Sequence, residues 1–223
     1  MALSRELAER KQAGYALYIH RRQARIEGNY SGAAAFFEES LVLFSELGQP
    51  YDIALVLSGL GLTVLFLGED ERAAVLCEKS LALSRKLGDS HSIASWLANL
   101  GMIMLVRGND KRATEQCEES LAIRKTLGHK GGSAHTLAIL GHIALRQGAY
   151  ERAADCYTES LTLRQETGEK EGIATALEGL AAVTVRQGQP LSAARLVWFS
   201  GCMKATCSSD IVLRPLAGYY EPT

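Results

Sequence analysis

Proline is scarce in this chain, 4 residues in 223, and aromatic side chains make up only 7% of it. No window reaches the ~18 consecutive apolar residues that a membrane helix needs. Neither sign of charge prevails, with 24 Lys and Arg against 25 Asp and Glu, so a role coating nucleic acid or a membrane surface is excluded on electrostatic grounds. Cysteine is sparse and odd in number, five in all (Cys77, Cys117, Cys156, Cys202 and Cys207). That fits reduced thiols and not a disulfide framework. Met1 to Lys11 carries Arg5, Glu6, Glu9, Arg10 and Lys11 without an apolar stretch, so a secretory signal or transit peptide is not expected there and the expected location is cytoplasmic. What the chain does have is ordinary globular usage, 47% apolar and 22% charged residues, which rules out disorder throughout, and an unusual wealth of glycine, 21 residues.

The glycines are periodic. Gly28, Gly68, Gly108, Gly148 and Gly188 are spaced by 40 residues, as are Gly48, Gly88, Gly128 and Gly168. Ser40, Ser80, Ser120 and Ser160 keep the same register, each followed by leucine, and so do Ala33, Ala73, Ala113, Ala153 and Ala193. A fixed period in the range of 20 to 50 residues is the mark of a stacked repeat architecture. Within each unit two helical patterns flank a glycine turn. From Ile53 to Leu67 the residues Leu57, Leu60, Gly61 and Val64 recur on one face of a 3.6-residue helix. Gly68 ends that helix, a second runs from about Glu71, and Gly88 stops it.

Small residues at Gly61, Gly101 and Gly141 on the first helix, and at Ala73, Ala113 and Ala153 on the second, allow a close crossing. One hairpin cannot bury both its faces, so neighbours must stack. The expectation is an all-α, right-handed superhelical solenoid of five antiparallel helix pairs with a C-terminal helix and tail. Its parts are 1–8 as the remnant of a preceding repeat or a cap, repeats at 9–48, 49–88, 89–128 and 129–168, then 169–208 as repeat 5 with the C-terminal helix, and 209–223 as tail. Met1 to Leu7 aligns with Leu81 to Leu87 at twice the period. The chain is therefore expected to start midway through a second helix, as a piece cut from a larger protein.

The pattern Leu57, Leu60, Gly61, Gly68, Ala73, Cys77 and Ser80 resembles the tetratricopeptide repeat. Leu57 stands where that family carries a large aromatic, Ser80 replaces its second small alanine, and the unit exceeds the usual 34 residues by six. This long form is similar to the repeats of bacterial signal-transduction ATPases and of helix-turn-helix transcriptional regulators. The resemblance covers the chain to about Ala205 and implies a surface that binds other proteins.

Candidate chemistry fails one motif at a time. Gly128-His129-Lys130-Gly131-Gly132-Ser133 lacks the spacing of a phosphate loop and reads as an inter-repeat turn. His135 and His142 lie two helical turns apart, about 10 Å, too far for a shared metal. Asn29-Tyr30-Ser31 matches the glycosylation pattern by chance in a turn. No catalytic residue, metal or cofactor is expected.

What remains is surface. The resemblance places the first helix of each repeat along a concave groove, for which periodicity selects Tyr15, Tyr18, Arg22 and Arg25 in repeat 1, Leu55, Leu62 and Phe66 in repeat 2, and Met102 and Val106 in repeat 3. His135, His142 and Arg146 follow in repeat 4 and Arg186 in repeat 5. An apolar patch rimmed by polar groups marks a binding site. The leading expectation is a non-enzymatic module that captures a protein, peptide or partner helix, with no direct contact to nucleic acid or membrane. The alternatives are the sensor arm of a larger ATPase or transcriptional regulator, and a homo-oligomeric scaffold such as a homodimer.

Overall fold

The computed structural model describes residues 28–205, with Gln12 alone ahead of them and side chains as far as Gly201. The remnant at 1–8, the first helix of repeat 1 and the tail at 209–223 fall outside the described residues. Nine helices follow one another: α1 Tyr30–Glu46, α2 Pro50–Phe66, α3 Asp70–Leu87, α4 Ser90–Val106, α5 Asp110–Thr126, α6 Lys130–Arg146, α7 Tyr150–Thr167, α8 Lys170–Arg186 and α9 Pro190–Ala205. They are the second helix of repeat 1 and four antiparallel pairs, an all-α repeat fold. The described residues divide into two compact units, α1–α3 and α4–α9.

Each turn is closed by glycine. After α2, Gly68 takes φ +81°, a left-handed conformation that glycine adopts without a Cβ penalty. The N–H of Gly68 then donates to the Leu65 carbonyl and that of Glu69 to Val64, both at 3.0 Å, so the last carbonyls of the helix are satisfied. Helix starts are capped by side chains in three places. Asn29 Oδ1 accepts from the Gly32 N–H at 2.9 Å, Asp89 Oδ1 from Ser92 at 3.1 Å and Asn109 Oδ1 from Arg112 at 3.2 Å. Asn29 is thus occupied as a cap, and the turn at Gly128 leads into α6 in the same way as the other turns. The last helix begins at Pro190, in register with Asp70, Asp110 and Tyr150, and proline at the first helical position needs no N–H partner.

Pairs close through their small residues. A Cβ on Gly61 would lie 2.6 Å from Cys77 Sγ and 3.2 Å from the Ala73 carbonyl oxygen, and one on Gly101 would lie 2.2 Å from Cys117 Sγ. Cys77 and Cys117 are wholly buried, and burial pushes both thiols up to about 12, so they pack as small hydrophobes and are not nucleophiles at neutral pH.

The periodic serines have a role that periodicity alone does not show. Ser80 Oγ donates to the Ala54 carbonyl at 2.6 Å, Ser120 to Ala94 at 2.6 Å and Ser160 to Ala134 at 2.8 Å. Each hydroxyl crosses from the second helix to the first within one pair and uses the spare lone pair of a helical carbonyl. A buried bond of this kind contributes ~1 kcal/mol and fixes the register of the two helices. Ser40 bonds back to Phe36 in its own helix.

Candidate functional site

In the second unit the first helix α6 touches both α4 and α8, so the three first helices stand side by side as one wall. Met102 and Val106 on α4 are half-buried, as are His142 and Leu145 on α6 and Ala182 on α8. Ala98 and Ala138 lie beneath them, buried. His135 and Arg186 are exposed, and Val185 beside them is 56% exposed. In the first unit Leu55, Leu62 and Phe66 lie half-buried on α2. Tyr15, Tyr18, Arg22 and Arg25 lie outside the described residues.

Several of these side chains are engaged within the chain. Phe66 stacks on Tyr30 with ring centres 4.8 Å apart and planes within 9°. Arg146 forms an ion pair with Asp110 and donates to the Leu105 carbonyl, tying the start of α5 and the end of α4 to α6. His142 meets the ring of Tyr157 edge-on at 5.4 Å. Met102, Val106 and Leu62 carry the apolar character of the two faces.

His142 and His135 differ in environment. Burial pushes the His142 imidazole down to about 4, against about 6.5 in an unfolded chain. His135, on an exposed position of the same helix, is also lowered, first by desolvation and then by the guanidiniums of Arg124 and Arg164. For His142 the folded pKa is depressed. Above about pH 6.5 both states are neutral and nothing is lost. As pH falls toward 4, the unfolded chain takes up a proton that the folded one refuses, and stability drops by on the order of 3 kcal/mol. Urea unfolding of the wild type and of His142→Gln should therefore diverge on acidification, the variant losing less. Parallel pH profiles would rule out a His142 held neutral by its surroundings.

Two buried cations do not follow from the binding-face periodicity. Arg124 and Arg164, one repeat apart near the ends of α5 and α7, are 6% and 8% exposed. Arg124 donates to the Gly132 carbonyl, and Arg164 Nη1 reaches Glu169 at 3.2 Å. Burial lowers the pKa of both. Each lies where the next first helix has glycine: a Cβ would come within 2.6 Å of Arg124 Nη1 at Gly132 and within 1.6 Å of Arg164 Nη1 at Gly172. Earlier repeats carry Phe44 with Asp52 and Ser84 with Ser92 at these positions, so the substitution of both partners together is the signal by which the sequence marks the pair.

Among the described residues no cluster of three or more His, Cys, Asp or Glu could hold a metal ion. No helix there is long and apolar enough to cross a membrane.

Tetratricopeptide-repeat family profiles match residues 93–130 and 132–197. No curated protein matches the sequence. Among solved structures, BtubC of P. vanneervenii superposes with a TM-score of 0.72 at 20% identity, over 100% of this chain and 92% of that one. The Rap conjugation gene regulator of plasmid pLS20, in complex with the Phr* peptide, gives 0.75 at 15% identity, over 83% of this chain and 52% of that one. A signal-transduction ATPase from Pyrococcus horikoshii with a tetratricopeptide repeat sensor gives 0.73 at 19%, over 90% of this chain and 31% of that one. At these identities the likeness is one of fold.

Proposed function

We propose, for a chain that belongs to the tetratricopeptide-repeat proteins, a non-enzymatic interaction role in which the wall of α4, α6 and α8 takes a peptide or a partner helix. The observation that carries this reading is the half-buried apolar strip of Met102 and Val106, continued by His142 and ending at exposed Val185 and Arg186. Side chains at that depth leave apolar surface open to a partner. An amphipathic helix or an extended apolar peptide is the matching ligand. Neutral His142 offers ring surface without charge, while exposed Arg186 suits a carboxylate at one end. The Rap regulator, a protein of the same fold, is in complex with the Phr* peptide, which supports a peptide as the ligand class.

The experiment is selection of binding peptides from a displayed random library, followed by affinity measurement on Met102→Glu/Val106→Glu. A buried carboxylate facing apolar ligand atoms costs several kcal/mol, so the double variant should bind the selected peptides at least ~100-fold more weakly with its circular dichroism unchanged. Equal affinity would refute this location.

A second reading is favoured by the match to a repeat sensor within a larger ATPase: the chain serves as the sensing arm of a longer regulator. A phosphate loop upstream or a helix-turn-helix downstream in the parent reading frame supports it. A reading frame with neither removes that support.

A further inference from the structure

The outer surface of α9 breaks the pattern of the other second helices. Leu191 is 81% exposed, Trp198 66% and Phe199 52%, and with Ala194 and Arg195 they border a shallow depression of about 530 Å³. One repeat earlier the same positions are Glu151, Ala154, Asp155, Thr158 and Glu159, and two repeats earlier the positions of Trp198 and Phe199 are Glu118 and Glu119. In α5 and α7 the charged members of this set are exposed although a further repeat follows them. Stacking of another repeat therefore does not cover this surface, and the change from carboxylates to Trp and Phe calls for a different occupant.

We infer that the outer face of α9 is a homodimer surface, on which the α9 helices of two copies of this chain pack antiparallel about a two-fold axis. The spacing carries the choice of a second copy. Leu191, Ala194, Arg195 and Trp198 stand at i, i+3, i+4 and i+7, one helical stripe, with the large apolar residues at the ends and Ala194 and Arg195 at the middle. A two-fold axis between Ala194 and Arg195 sets Leu191 against the partner's Trp198 and Trp198 against the partner's Leu191, the reciprocal pairing an isologous interface requires. Ala194 lets the helices approach closely. Arg195 lays its stem over apolar surface and keeps its guanidinium at the wet rim. Trp198 and Phe199 already hold each other edge-on at 5.2 Å, so little side-chain freedom is lost on docking.

The area is sufficient. With ~150–250 Å² on each aromatic side chain, the stripe exposes roughly 500 Å² per copy, at the upper end of what a monomer leaves in water. Two copies together remove at most about 1,000 Å², the size of a weak, transient interface. A dimer of micromolar affinity is the expected strength. This surface belongs to a second helix and is separate from the wall of α4, α6 and α8, so failure of either proposal leaves the other standing.

Sedimentation equilibrium of the full chain tests it. From micromolar to millimolar concentration the mass should rise from 24.1 kDa toward twice that value. Leu191→Glu/Trp198→Glu should stay monomeric with unchanged helical circular dichroism, and Trp198→Ala alone should weaken association at least ~30-fold. A mass fixed at one chain across the whole range overturns the inference, whether the face is then covered by another segment or by another partner. A dimer that persists in the double variant overturns the location. Should the double variant not fold, Ala194→Cys decides: at the axis it should yield covalent dimer on oxidation beyond that of the unaltered chain, and no excess overturns the proposal.

Discussion

Replacing Gly179 by alanine should lower the stability of this protein by about 1–3 kcal/mol, although alanine for glycine normally favours a helix by ~1 kcal/mol. The reason is Tyr157. A Cβ at Gly179 would lie 2.3 Å from Tyr157 Cε1, and one at Gly141 on the opposite side would lie 2.8 Å from the same atom. The ring is wholly buried between two helices, within a cluster that includes Ala144, Ala153 and Val183. It has no direction in which to yield. Other repeats fill the corresponding positions differently: Phe37 goes with Gly59 twenty-two residues on, whereas Cys117 goes with Ile139. A large residue on the second helix goes with glycine and a small one with a larger partner, so their combined volume is what is held. Tyr157→Cys alone should cost about 3–5 kcal/mol through the cavity left, and Tyr157→Cys/Gly179→Ile should recover most of it. Urea unfolding of the full cycle should give a coupling of at least ~2 kcal/mol, and additive effects would sink the account.

The second large effect is expected at the buried guanidinium of Arg164. Gly172→Ala places a methyl group where Arg164 Nη1 sits. The side chain must leave, losing its bond to Glu169 at 3.2 Å and its shelter between α7 and α8. Displacing a buried cation from its partner costs about 3 kcal/mol or more, again with the sign opposite to helix propensity. Arg164→Met/Gly172→Ala removes the charge along with the collision and should be more stable than Gly172→Ala alone. Gly132→Ala should be milder, since its Cβ comes only within 2.6 Å of Arg124 Nη1. A thermal midpoint for Gly172→Ala equal to or above that of the wild type would show that Arg164 is not anchored there. Stability in a repeat array is a sum of unit and nearest-neighbour terms, so these losses should appear as early unfolding of the region around α7 and α8.

Much of the architecture was legible before any coordinates. The glycines at 28, 68, 108, 148 and 188 marked helix ends because the left-handed conformation they take, φ +73° to +81° at those five, is open to glycine and closed to most other residues. The crossings at Gly61, Gly101 and Gly141 were legible for a similar reason, since close approach of two helices requires a missing side chain. The binding face was less legible. Periodicity selected Phe66 and Arg146 as surface, but a helical period reports direction and not distance to the next element. It could not show that Tyr30 stacks on Phe66, or that Arg146 reaches the end of α4.

What the linear order of residues determined by itself was therefore local: where helices start and stop, how they pair, and the repeat that they share. Those choices rest on backbone conformation and on neighbours three or four residues apart. Only the tertiary structure decided which side chain of one repeat fills the gap in the next, as with Tyr157 and Gly179 or Arg164 and Gly172, and which faces stay open, as with Met102 and Trp198. Burial depends on every element packed around a position, and in this chain those elements come from other helices, from 8 residues away along the backbone for Arg124 and Gly132 to 41 for Arg146 and Leu105.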